Sequence, residues 1–494
     1  MESNIQNFYD ETNIFITGAT GFVGKALIEK LLRDTNVNRI YILIREKRGR
    51  SIKERLEKMF ENPIFSVIRS HNPKFEEKIV PIIGECGIKD LGISSADQQE
   101  LINKVHIIFH GAATVNFDEN LKTAYDINVN GIKTVIEIAK KMKHLKSVVF
   151  VSTAYSNCIR NSIIEEKVYQ YSYDEPMEKL ENMSKETAIE VKEKMMGEWP
   201  NTYTYTKSLA EMLVEKEKDN IPIGIFRPSI ITSSYKEPIP AWIDNVYAIN
   251  GISLGLLTGF LRVYPGRSDI YVDIIPIDMC VSAMIACAME IGQNHKKSDK
   301  ILVYNYTSRL QNPVTYGLFE YLNLNFGVPT IKAIWKPCGI FCADKKLSRI
   351  LSFFLEIIPA VFLDGAALAT GNKPQLLSLY SKVLKLGDKV KFFGERDWEF
   401  DNENVQNLWL NLNKNDQKLF PFNIASISWV LFSKNYSLGL RRYVLKEDDS
   451  TLEKAWKKHN RLTWMHLTLQ CLAAFLLSVA LYLLLSKMHN LVFN

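Results

Sequence analysis

Short apolar runs alternate along the first half of the chain with stretches that repeat at helical period. The runs are Ile14 to Ile16, Arg39 to Ile44, Lys78 to Ile83, Val105 to Phe109, Ser147 to Val151 and Ile223 to Thr232. They are continuous and do not alternate with polar residues, as in strands covered on both faces, so they predict a parallel sheet. Between them, Val23, Leu27 and Leu31 mark a first helix, and the run from Asp126 to Lys141 (DINVNGIKTVIEIAKK) carries another. The succession of strand and helix predicts an α/β fold with a doubly wound parallel sheet of Rossmann type. In such a sheet ligand chemistry lies at the carboxyl ends of the strands.

The pattern changes further on. Residues 156 to 200 are polar and irregular, with Lys185 to Lys194 reading as a solvated helix. Glu237 to Gly255 is loop-rich and apolar, suited to the mouth of a site, and Asp273 to Asp278 reads as a short strand and turn before a helix through Ala288. From about residue 345 the chain becomes strongly apolar and aromatic. Leu351 to Leu368 contains Glu356, Pro359, Asp364 and Gly365, which interrupt it too much for a membrane span, so a buried or interfacial helix is expected there. Residues 370 to 450 mix aromatic clusters with helical periodicity, which predicts a mainly helical C-terminal part. Leu467 to Leu485 has no charged residue at all. As a helix it extends about 28 Å, near the thickness of a bilayer's hydrocarbon core, and predicts a single transmembrane anchor. Lys454, Lys457, Lys458 and Arg461 precede it and only Lys487 and His489 follow, which puts the large N-terminal part in the cytosol.

Composition narrows the function classes. Hydrophobic residues at 47% and charged residues at 23% exclude large-scale disorder. A net charge of +6 on 494 residues, with no dense basic stripe, gives no reason to expect a nucleic-acid partner. The seven cysteines are scattered, and Cys338 and Cys342, the one close pair, have no further ligands at metal spacing, so reduced thiols and no metal are expected. The N-terminus has neither a basic region nor an apolar run, so no signal peptide is expected.

The chemistry begins at Asn13 to Leu32. Gly18, Gly21 and Gly24 stand where a strand turns into a helix, so the backbone can approach a pyrophosphate that the helix N-terminus favours. Arg45 ends the second strand, with Lys47, Arg48 and Arg50 close behind. A cation there suits a 2′-phosphate, which points to NADPH over NADH. Small residues after the fourth strand (Gly111, Ala112, Ala113) leave room for the cofactor, while His110 reads as a packed or backbone-bonded histidine. Hydride transfer to a carbonyl needs a proton for its oxygen. Tyr203 and Lys207, four apart on one helix face, have the spacing for a tyrosine donor whose pKa the lysine and the oxidised nicotinamide lower. Ser152 or Thr153, after the fifth strand, is placed to donate a second hydrogen bond. Pro228 falls just past the sixth strand's carboxyl end.

This constellation resembles the extended short-chain dehydrogenase/reductases and, more closely, the eukaryotic (insect-like) fatty acyl-CoA reductases. TGATGFVGKALIEKLLR, LIREKRGRSIKERL, HGAATVNFDENL, FVSTAYSN, WPNTYTYTKSLAE, FRPSI and EPIPAWIDN follow the family's order, and DWEFDNENVQNLW, LFPFNI and LGLRRYVLKED resemble its C-terminal male sterility domain. The resemblance implies a reductase domain over 1–345, a male sterility domain over 346–460 and an anchor over 467–486. It implies that Gly18, Thr20, Gly21, Phe22, Val23 and Gly24 hold the NADPH phosphates and Arg45 the 2′-phosphate. Ala112, Ala113 and Asn128 then lie along the cofactor, with Tyr203, Lys207 and a hydroxyl, Thr153 favoured over Ser152, at the chemistry. The implied reaction reduces a long-chain acyl-CoA through a hemithioacetal and aldehyde to a primary alcohol, with two NADPH and release of CoA. The implied setting is a membrane of the endoplasmic reticulum or peroxisome, with the catalytic part facing the cytosol and a homo-oligomer left open. Two departures stand out: Glu85 where the family more usually has aspartate, and Ala241 where its EPxPGW pattern has glycine. The alternatives are a membrane-bound reductase or dehydrogenase of a sterol or other lipid, and a non-catalytic NADPH-binding membrane protein.

Overall fold

The computed structural model describes residues 2–46, 49–171, 177–295 and 299–493. Seven strands form one parallel sheet: β1 (Asn13–Thr17), β2 (Arg39–Ile44), β3 (Ile79–Ile83), β4 (Ile107–His110), β5 (Ser147–Val151), β6 (Ile223–Pro228) and β7 (Val303–Tyr306). Their order is β7-β6-β5-β4-β1-β2-β3. β1 and β5 are buried along their whole length, which is why their sequences are unbroken apolar runs. Ile14 pairs with Ile40 of β2 on one side and Ile107 of β4 on the other. The strand order therefore reverses at β1/β4, the place where a sheet of this type binds its ligand beyond the carboxyl ends. The helices α1 (Phe22–Asp34), α2 (Gly131–Ala139), α3 (Thr202–Glu215) and α4 (Ile277–Asn294) supply the crossovers.

Several boundaries differ from expectation. The sixth run splits: Ile223–Pro228 belongs to the main sheet, and Ile230–Thr232 turns away to pair with Ile274–Pro276. Pro228 is thus the buried last residue of β6 and not the residue after it. The helix after residue 276 continues past Ala288 to Asn294 because its apolar face persists to Ile291, which is buried.

The chain divides into two compact units that interleave in sequence: Met1–Asp244, Asp269–Tyr316 and Glu395–Ser428 form the first, and Asn245–Ser268, Gly317–Gly394 and Trp429–Asn494 the second. The first holds the sheet. The second is mainly helical, with Phe260 stacked on Tyr380 at 4.0 Å between ring centroids and Arg441 fully buried against Glu447 at 3.0 Å. In it, Lys345–Ser352, a π-turn at Phe353–Ile357 and α5 (Ile358–Ala369) run on without a break. Of the buried or interfacial helix expected here, the buried alternative is overturned. Phe353, Phe354, Val361 and Phe362 are exposed, and only Glu356, Asp364 and a few small residues are covered. α6 (Leu376–Gly394) follows, and α7 (Leu452–Phe493) ends the described chain, with the most apolar stretch of α7 entirely unburied.

Candidate active site

The turn after β1 is built for close approach. Gly18 has φ +76°, and a Cβ there would lie 2.8 Å from the backbone of Gly111 and Ala112. At Gly24 a Cβ would meet Gly18 O at 2.3 Å, so α1 could not pack against the turn. Gly21 is the N-cap of α1 and offers no side-chain acceptor, which leaves the first N–H groups of the helix for an anion. Thr20 and Val23 are half-buried at this turn, and Phe22 stacks on the buried Trp242 at 5.0 Å. Thr17 closes the β1/β4 switch, since its hydroxyl meets His110 Nδ1 at 2.8 Å and accepts from Ala112 N at 3.2 Å. Burial pushes the His110 imidazole down to about 3, so it is neutral and serves packing, as expected. A pyrophosphate fits a cradle of this kind, with unfilled glycine positions and an uncapped helix start.

At the end of β2, Arg45 is exposed and pairs with Glu85 at 3.1 Å. Arg55, which sequence reasoning passed over, donates to the carbonyl of Arg45. Burial, then the charges of Arg45 and Arg50, lower its pKa. Three guanidinium groups therefore crowd one another here, which suits an added anion. Lys47 and Arg48 lie outside the described residues.

The polar residues beyond β4 and β5 sort themselves. Asn201 caps α3, accepting from Thr204 N at 2.9 Å, and so fixes the helix start from which Tyr203 and Lys207 project. Thr153 hydrogen-bonds the Tyr203 phenol. Ser152 faces away from it and donates to Glu211, a residue the sequence reading did not single out. Glu211 also accepts from Ser156 at 2.8 Å and from the fully buried Arg227 at 2.9 and 2.7 Å. Its spacing was a usable signal, four residues past Lys207 on the same helix face. Of the two hydroxyls, then, Thr153 meets the tyrosine and Ser152 anchors a buried ionic cluster.

Lys207 is buried and donates to Val151 O at 2.7 Å, with its ammonium 4.7 Å from the centre of the Phe150 ring. Burial lowers its pKa to about 8, against the opposing charge of Glu211. Tyr203, half-buried and stacked on Phe117 at 6.2 Å, is pushed up to about 12 by burial, against the Thr153 hydrogen bond. Burial governs the phenol in this arrangement, where the Lys207 ammonium is turned to the Val151 carbonyl. Asn128 sits in a π-turn (Asp126–Asn130), fully buried. Its amide accepts from Thr114 N and donates to Thr206 Oγ1, both at 2.9 Å, so it ties the loop after β4 to α3. Ala112 and Ala113 are half-buried on that loop.

A glycine turn, a basic second-strand end, and a tyrosine paired with a hydroxyl beyond the fifth strand define an oxidoreductase site of the short-chain dehydrogenase/reductase class with a nicotinamide cofactor. Residues 16–284 match a nucleotide-binding family described as male sterility protein, and residues 355–447 match a second family of the same description. The chain is 38% identical to fatty acyl-CoA reductase wat of Drosophila melanogaster over 98% of its length and 94% of that protein's. It is 35% identical to fatty acyl-CoA reductase 1 of Rattus norvegicus over 93% and 90% respectively. It belongs to the fatty acyl-CoA reductase family. The fold is also that of the terminal R domain from the myxalamid PKS-NRPS biosynthetic pathway, with a TM-score of 0.58, 21% identity, and 87% of this chain and 90% of that one covered.

Proposed function

We propose that the chain reduces a long-chain fatty acyl-CoA to the primary alcohol, with NADPH as reductant, at the carboxyl ends of β1, β4 and β5. The observation that carries the reading is the Thr153–Tyr203 pair at the same, carboxyl end of the parallel sheet as the glycine turn, in a fatty acyl-CoA reductase chain. Each NADPH, when bound, would supply one hydride, so thioester to aldehyde and aldehyde to alcohol would use two NADPH with NADP+ exchanged between them and CoA leaving as the thiol. Tyr203 gives its proton to the substrate oxygen each time; with its pKa at about 12 it is fully protonated at neutral pH, as a donor must be. Thr153 donates a hydrogen bond to the same oxygen. Lys207 holds the nicotinamide ribose hydroxyls and, as an ammonium, favours the phenolate left behind. Gly18, Thr20, Gly21, Phe22, Val23 and Gly24 hold the phosphates, Ala112, Ala113 and Pro228 line the cofactor, and Asn128 positions the loop beside it. Arg45 with Arg50 and Arg55 receives the 2′-phosphate that distinguishes NADPH.

The chain is anchored by α7 in a membrane of the endoplasmic reticulum or peroxisome with its catalytic part in the cytosol, where substrate and product both partition into lipid. The functional division is 1–345 for reduction, 346–460 for the male sterility domain and 467–486 for the anchor. Membranes carrying the protein, given NADPH and palmitoyl-CoA, test the reading. Fatty alcohol as product with two NADPH consumed supports it, aldehyde alone removes the second reduction, and no turnover at any chain length refutes it.

A further inference from the structure

The helical stretch Lys345–Ala369 has its polarity reversed. Ser348, Ser352, Glu356, Ala360 and Asp364, spaced four apart, are buried against the second unit, while Phe353, Phe354, Val361, Phe362, Leu363 and Leu368 face outward. A soluble helix buries its apolar stripe and wets its acids. Here both acids point inward and are satisfied by backbone. Glu356 accepts from Arg262 N at 2.7 Å and Val263 N at 2.9 Å. Asp364 accepts from Gln375, Leu376 and Leu377 N at 3.0 to 3.1 Å and so caps α6. The residues that interrupt the run in sequence are thus removed from its outer face, and Phe362, at 74% exposure, stands out from a continuous apolar surface. Exposed patches of that kind mark a partner surface.

A chain of contacts inside the same unit indicates which partner. Trp335 Nε1 donates to His466 Nδ1 at 3.1 Å, and His466 immediately precedes the uncharged run of α7. The Arg262 guanidinium lies 5.2 Å from the Trp335 ring centre and donates to Leu355 O at 2.8 Å, at the middle of the reversed helix. The middle of that helix is therefore joined, through Arg262 and Trp335, to the point where α7 leaves polar sequence. A tryptophan beside an arginine at the end of an uncharged helical run is characteristic of a membrane–water interface. Lys346 and Arg349, exposed at the start of the helix, add charge that attracts lipid headgroups.

We propose that Lys345–Ala369 lies in the plane of the bilayer surface with its outer face in the acyl chains of one leaflet, a second membrane contact beside α7. It lies and does not cross, because its inner stripe is covered by protein along its length and lipid can surround only the outer side. The second unit thereby rests on the leaflet into which an acyl substrate partitions. The proposal depends on α7 being membrane-embedded, and its test separates the two claims.

The full chain is reconstituted in phosphatidylcholine vesicles with benzoylphenylalanine replacing one aromatic or apolar residue at a time, then irradiated. Phe354 and Phe362 are the test positions, Phe475 on α7 the reference, and the exposed Leu410 of the first unit the control. Phosphatidylcholine adducts at Phe354, Phe362 and Phe475 but not at Leu410 are expected. Adducts at Phe475 without any at Phe354 and Phe362 would overturn the proposal while leaving the anchor standing. A cross-linked pair of chains at Phe362 in place of lipid would instead make this face a contact between copies. Loss of lipid adducts at Phe475 as well would overturn the membrane reading itself. In sealed vesicles an impermeant amine reagent should reach Lys346 and Lys373 together, or neither; modification of only one would mean that the helix crosses.

Discussion

At the scale of single residues, the site turns on which of two adjacent hydroxyls faces the tyrosine. Extended backbone alternates sides, so Ser152 and Thr153 cannot both serve, and the Glu211–Arg227 cluster claims Ser152. Thr153→Val should lower kcat by roughly 100-fold, the scale of a lost transition-state hydrogen-bond donor. Ser152→Ala should keep kcat and lower stability by about 1 kcal/mol, since Glu211 retains Ser156 and Arg227. Equal kcat losses in the two variants would remove the distinction. The sequence left this choice open because both hydroxyls stand in the same motif; only the burial of Glu211, eight residues past Tyr203 on one face of α3, separates them. Lys207 gives a pH prediction. Its pKa of about 8 means a charged ammonium below that pH and a neutral amine above it, while Tyr203, near 12, stays protonated throughout. The rate with a fatty aldehyde and NADPH should therefore fall as pH rises through about 8. A rate flat to pH 10 would show that the ammonium charge does not matter.

At the scale of elements, the two departures from the family pattern acquire physical meaning. Ala241 has φ +72°, a left-handed position that glycine occupies freely and alanine only with strain. That strain sets up Trp242, which is buried, stacked on Phe22 at the start of α1 and bonded through Nε1 to Asn62 at 2.9 Å. Ala241→Gly should raise stability by up to about 1 kcal/mol, part of the relief being offset by the freedom glycine gives the unfolded chain, and thermal unfolding measures it. A lowered midpoint would contradict the strain assignment. Glu85 reaches Arg45 and shares the guanidinium with any phosphate placed there. Glu85→Gln should lower the KM for NADPH, and Arg45→Ala should raise it about tenfold while changing the KM for NADH little. A parallel change for both nucleotides would place the 2′-phosphate elsewhere. Arg55 was invisible as a participant because its role depends on α-helical chain beyond the loop bringing it back to the Arg45 carbonyl.

At the scale of the whole molecule, what was legible followed from period and order. Unbroken apolar runs between helices specify a parallel sheet, and β2 and β5 begin and end where those runs do. The division of Ile223–Thr232 between two sheets was not legible, because a strand that leaves one sheet for another keeps the same apolar character. Nor was the reversed helix at Lys345–Ala369, where acids inside an apolar run read as breaks until their backbone partners are known. Tyr203→Phe isolates the proposed proton donor for acyl reduction while leaving the nucleotide cradle intact. The variant keeps the ring stacked on Phe117 and removes only the hydroxyl. The decisive measurement is product formation from palmitoyl-CoA and NADPH by membranes bearing each form, with NADPH binding followed alongside. Equal NADPH binding, with alcohol formation lowered by at least about 100-fold, is expected of Tyr203→Phe. Alcohol formed by the variant at the unaltered rate would contradict the proposed donor role.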